Sequence, residues 1–76
     1  MMRQPSEIHQ MLGKSLRDLR LERRWTQEEL ADRAGVHPHY VSDIERGKRN
    51  VAIVNLTYLA DALEMSAAEL LANAGL

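Results

Sequence analysis

The chain of 76 residues has no cysteine. That excludes disulfide staples and thiolate zinc ligands, and it fits a reducing compartment better than a secreted, bridged scaffold. No apolar run approaches the roughly 20 residues that a membrane span needs. The N-terminal stretch MMRQPSEIHQ lacks the apolar core of a signal peptide. These absences lead us to expect a soluble, cytoplasmic protein with no membrane contact. Glycine (four) and proline (two) are scarce and β-branched runs are missing, so the chain reads as helices joined by short turns. There is no nucleophile–base arrangement, no phosphate loop and no carboxylate pair at catalytic spacing, and a domain this small has little room for a pocket. We therefore expect neither an enzyme nor a cofactor.

The charge present is unevenly distributed. The net charge is −1, which taken alone argues against a nucleic-acid partner. Yet all ten Lys and Arg fall within residues 1–50, where the balance is +2, and residues 51–76 hold only acids, at −3. A mildly basic front thus meets an acidic, apolar back.

Five helices are expected in one domain over residues 6–74, after a loose N-terminus at 1–5. Ser6 is a candidate cap for the first helix, with Ile8, Met11, Leu12, Leu16 and Leu19 at helical spacing and an end near Arg23 or Arg24. Thr26-Gln27-Glu28-Glu29 is a capping box that opens the second helix, Trp25 and Leu30 can form its hydrophobic staple, and Gly35 closes it. The third helix begins at His37-Pro38-His39. Proline suits the first helical position, whose N–H has no helical partner, so His37 is expected as the cap and Gly47 as the end. A metal site would need His37 and His39 to converge with further ligands, and none is apparent. The fourth helix spans about Ile53–Leu63, with Ile53, Leu56, Leu59, Ala60 and Leu63 inward. A second capping box, Ser66-Ala67-Ala68-Glu69, opens the fifth, which fades at ANAGL.

Two short helices joined by AGVH form a helix-turn-helix pattern. The stretches LRDLRLERRWTQEELADRAGVHPHYVSDIERGKRN and NLTYLADALEMSAAELL closely resemble the phage repressor and Cro-like family of xenobiotic-response-element regulators. The fourth helix after ERGKRN also resembles the small controller proteins of restriction–modification systems. The resemblance implies an all-α, compact five-helix bundle of the lambda-repressor-like type. It implies a bacterial or phage transcriptional regulator that binds double-stranded operator DNA as a homodimer, the third helix in the major groove. It assigns Gln27 to a phosphate, His37, Pro38, His39, Ser42 and Asp43 to the groove, and Lys48, Arg49 and Asn50 to the backbone. It also pairs Arg20 with Glu45 as a buried ion pair.

The residues themselves fit this in part. Positions 39, 42, 43 and 46 share one helical face, opposite Val41 and Ile44. Arg46 and Arg49 suit guanine or a phosphate, and Asp43 suits the amino group of cytosine. Three departures stand out: Pro38 cannot donate a hydrogen bond, Ala52 replaces a capping hydroxyl, and Glu64 occupies a position where glycine commonly ends a helix. Val51, Val54 and Tyr58 lie off the inner face of the fourth helix and suit a dimer surface, with Leu71 as the alternative. A second reading is an antitoxin or anti-regulator that acts mainly by gripping another protein, such as a toxin or RNA polymerase.

Overall fold

Helix α1 (Pro5–Glu22) starts one residue before the serine expected to cap it. Gln4 is the cap: its carbonyl accepts from the Glu7 N–H (3.0 Å), and its own N–H donates to Glu7 Oε1 (3.4 Å). Pro5 takes the first helical position, where its missing N–H costs nothing. The computed structural model describes residues 2–76. The expected loose N-terminus thus loses Pro5 to the helix, and Met1 lies outside the described residues.

The other elements are α2 (Gln27–Ala34), α3 (Pro38–Glu45), α4 (Ile53–Ala62) and α5 (Ala67–Asn73), with no strand among the described residues. Both capping boxes form. The Glu29 N–H donates to Thr26 Oγ1 and the Glu69 N–H to Ser66 Oγ, each at 3.0 Å, and both glutamates return a carboxylate to the cap N–H. In α3, His37 Nδ1 accepts from the His39 N–H (3.0 Å) with Pro38 at the first position. The His-Pro-His stretch is therefore a helix start, and the first histidine is consumed as its cap.

Helix α1 packs on α3 and α5, α2 on α3 and α4, and α4 on α5. Leu16, Leu30, Val41, Ile44, Leu59, Leu63 and Leu70 are fully buried at the shared centre, and each contributes about 1.5–3 kcal/mol on leaving water. Two expected core positions stay out. Ile8 is exposed and lines an apolar groove with Pro5, Leu12, Val51, Leu56 and Leu71. Ile53 is 67% exposed, because the first turn of α4 precedes the stretch that packs inward from Leu56.

Gly13 lies where α1 crosses the end of α3. A Cβ there would overlap the Ile44 carbonyl oxygen and stand 3.0 Å from that of Glu45. Glycine is what lets the two backbones meet. Two non-glycine residues end helices in the left-handed region, Arg24 (φ 58°) after α1 and Glu64 (φ 59°) after α4. Ala52 caps α4 without any side-chain hydrogen bond.

Candidate nucleic-acid interface

Helices α2 and α3 are joined by Gly35, Val36 and His37. Gly35 is left-handed (φ 72°), and the Val36 N–H closes the end of α2 on the Ala31 carbonyl (3.0 Å). Val41 and Ile44 root α3 in the core, which turns His39, Ser42, Asp43 and Arg46 outward. Gly47 (φ 71°) then reverses the chain, which only glycine does without strain. Lys48, Arg49 and Asn50 follow, all exposed. His37 is exposed and Pro38 half-buried beside it.

Behind this surface lies a charged joint. Arg20 on α1 grips Glu45 on α3 with two bonds, Nε to Oε2 at 2.7 Å and Nη2 to Oε1 at 2.9 Å. The side chains are only 10% and 3% exposed. Arg20 Nη1 donates to the Trp25 carbonyl (2.7 Å), and Gln27 Nε2 donates to Glu45 Oε1 (3.1 Å). The hydrogen bond to Glu45 holds the Arg20 guanidinium above its ordinary high pKa, against the opposing effect of burial. The side-chain amide of Gln27, assigned by resemblance to a phosphate, is therefore turned toward Glu45.

In front of it, Asp43 holds two arginines. Its Oδ1 accepts from Arg46 Nη2 (2.7 Å) and its Oδ2 from Arg49 Nη2 (3.1 Å). These bonds, Arg46 first and Arg49 second, push the Asp43 carboxyl below the usual carboxylate range. The free acceptor expected for cytosine is thus an engaged one, because Arg46 is three residues on along the helix and the Gly47 turn brings Arg49 back. Arg49 also lies over the ring of Tyr40 (4.9 Å), whose hydroxyl accepts from Asn55 Nδ2 on α4 (3.3 Å). The sequence alone does not single out Tyr40 and Asn55. The i, i+3 spacing of Tyr40, Asp43 and Arg46 was the available signal, whereas Asn55 needed the packing of α4.

On α4, Val54 and Tyr58 are 55% and 48% exposed and stand one turn apart, next to exposed Ile53. Val51 and Leu71 are half-buried against the core. No group of three or more His, Asp or Glu among the described residues is arranged to hold a metal, and no helix there is long and apolar enough to cross a membrane.

The helix-turn-helix family model matches residues 16–70. The chain is 39% identical over 64 residues to an uncharacterized HTH-type transcriptional regulator, y4dJ, of Sinorhizobium fredii, covering 84% of this chain and 83% of that one. It is 37% identical over 70 residues to the control protein C.SmaI of Serratia marcescens, covering 92% and 83%. Among solved structures it resembles the restriction–modification controller protein C.AhdI of Aeromonas hydrophila, with a TM-score of 0.79 and 42% identity over 82% of this chain and 94% of that one. With the five-helix architecture, the turn geometry and these relatives in agreement, the chain belongs to the helix-turn-helix family of transcriptional regulators, which are not enzymes.

Proposed function

We propose that this protein is a sequence-specific DNA-binding transcriptional regulator that acts in the cytoplasm as a homodimer on operator DNA. The observation that carries this reading is the ridge of exposed His39, Arg46, Lys48, Arg49 and Asn50, with half-buried Ser42 among them, along α3 and its following loop. A stripe of donors and cations on a short, firmly rooted helix suits base edges and phosphates together. The net charge of −1 does not oppose it, because the acids without balancing bases lie beyond residue 50.

In this reading Lys48 and Asn50 follow the phosphate backbone, Arg46 and Arg49 suit guanine or a phosphate, and the backbone N–H groups at the start of α2, beside Gln27, face a phosphate. His37, Pro38, His39 and Ser42 lie in the groove. Proline restricts its own position to apolar contact, so a thymine methyl is the base feature it suits. Ile53, Val54 and Tyr58 form the self-contact surface, since three apolar side chains exposed together on one helix invite burial. The same patch also suits a foreign protein partner.

The test is selection of binding sites from a random DNA pool, followed by titration of the recovered site at several salt concentrations. Affinity should fall linearly with salt on logarithmic axes, and Lys48→Ala should lower that slope by about one unit while weakening all sequences alike. Recovery of no sequence above the input pool would overturn the reading in favour of a protein partner.

A further inference from the structure

The outward face of α3 carries one acid, Asp43. An acid aimed at a polyanion lowers affinity, so its presence there needs a reason. Both of its oxygens are engaged, by Arg46 at 2.7 Å and Arg49 at 3.1 Å. Arg49 is held from a second side by the Tyr40 ring, and Tyr40 is tied to α4 through Asn55. A polar string therefore runs Asn55, Tyr40, Arg49, Asp43, Arg46, and it links α4, α3 and the loop after Gly47.

We propose that Asp43 is a positioning residue that locks Arg46 and Arg49 as a preformed pair of guanidiniums, and that this pair, not the carboxylate, reads the DNA. The proposal rests on the reading that α3 faces DNA. Each arginine commits a single Nη2 bond to Asp43 among the described residues, and because Nη2 carries two N–H groups, one of the two donor edges (Nε with Nη2, or Nη1 with Nη2) keeps both of its donors. A guanidinium held with one edge open is shaped for a two-point bond to O6 and N7 of guanine. Free arginine side chains must be ordered on binding, and a pair ordered beforehand avoids most of that cost. The cluster as a whole stays positive, two guanidiniums against one carboxylate, so it still attracts the phosphates that flank its target.

This differs from direct reading by Asp43 in what a double-mutant cycle reads. The full chain is tested on its selected operator and on every single-base variant of it, as parent, Asp43→Ala, Asp43→Asn, Arg46→Ala, Arg49→Ala and the combinations. Asp43→Ala should reduce discrimination about 10-fold at base pairs that the arginine variants also affect. Adding it to Arg46→Ala with Arg49→Ala should change nothing further. Side-chain 15N relaxation of the free protein should show both guanidiniums becoming more mobile in Asp43→Ala while its helical ellipticity stays that of the parent. Asp43→Asn, nearly isosteric, gives the same reading should the alanine variant fold poorly.

Loss of discrimination at a base pair untouched by the arginine variants would overturn the proposal and make Asp43 a direct reader. Undiminished discrimination in Asp43→Ala, or a uniform loss across all sequences, would overturn it as well. A distinct result would instead overturn the underlying reading of α3: operator binding and discrimination left intact in Arg46→Ala with Arg49→Ala.

Discussion

Gly13 and Ile44 are in backbone contact: the Cα of one helix faces the carbonyl oxygen of the other with no room for a methyl group. In an ordinary helix interior, replacing glycine with alanine gains about 1 kcal/mol. Here the added carbon must push α1 off the end of α3, and overpacking of this kind costs about 1–3 kcal/mol. Gly13→Ala should therefore lower stability in chemical denaturation. An increase in midpoint would mean that the two helices separate without cost.

Removing one member of the Arg20–Glu45 pair strands a buried charge. Glu45→Gln should cost about 3–5 kcal/mol, a large share of the 5–15 kcal/mol typical of a folded domain. The damage should spread to the start of α2, because Gln27 and the Trp25 carbonyl bond to the same pair. Thermal melting reads the loss; a shift of only a degree or two would count against this account.

Glu64 adopts a left-handed backbone that costs a residue with a Cβ about 1–2 kcal/mol. Its side chain is exposed and makes no hydrogen bond among the described residues. Glu64→Gly should raise stability by about 1 kcal/mol, less the extra entropy of the unfolded glycine. The melting temperature should rise, the reverse of the Gly13→Ala result, and a fall would show that Glu64 has a role unconnected with its backbone.

The exposed face of α4 predicts the assembly. Val54→Glu with Tyr58→Lys should leave helicity unchanged while sedimentation shows weaker self-association. Operator affinity should drop with it, since two joined half-sites gain from effective concentration. An unchanged dimer would shift attention to Leu71 and the groove between α1, α4 and α5.

Asp43 has a carboxyl pKa depressed by its arginines, so it contributes stability above the unfolded carboxylate value of about 3.9. That contribution fades as pH falls through the lower folded value. Glu69, depressed by its bonds to Ser66, acts in the same direction. Acid should destabilise the native protein below about pH 4, and Asp43→Asn should flatten that limb. Stability of the parent that stayed level down to pH 2 would refute it.

Local chemistry was readable from the sequence wherever it was local. The capping boxes at Thr26 and Ser66, the His37-Pro38 start and the left-handed ends at Gly35 and Gly47 each depend on residues within one turn. The missed features depend on neighbours far along the chain. Ile53 has the spacing of a core residue but lies in the turn of α4 that the core does not reach. Gly13 reads as a weak point in a helix until α3 crosses it. Ser15, polar on an inward face, is accounted for by the hydroxyl bond it donates to Asn73 Oδ1 on α5 (2.7 Å). Asp43 looked like a lone acceptor because Arg49 returns to it only after the chain reverses.

Trp25 is the sole tryptophan, half-buried, with its carbonyl bonded to Arg20 and its ring 4.2 Å from the guanidinium of Arg33 and 5.8 Å from that of Arg23. Arg23 in turn donates to the Leu19 and Leu63 carbonyls, which ties the end of α1 to the end of α4. The chain thus carries a built-in fluorophore at the meeting point of α1, α2 and α4, flanked by two cations. Its emission reports the opening of that junction specifically, and far-ultraviolet ellipticity reports the helices themselves. If the two signals separate along a denaturation curve, the junction loosens before the helices melt.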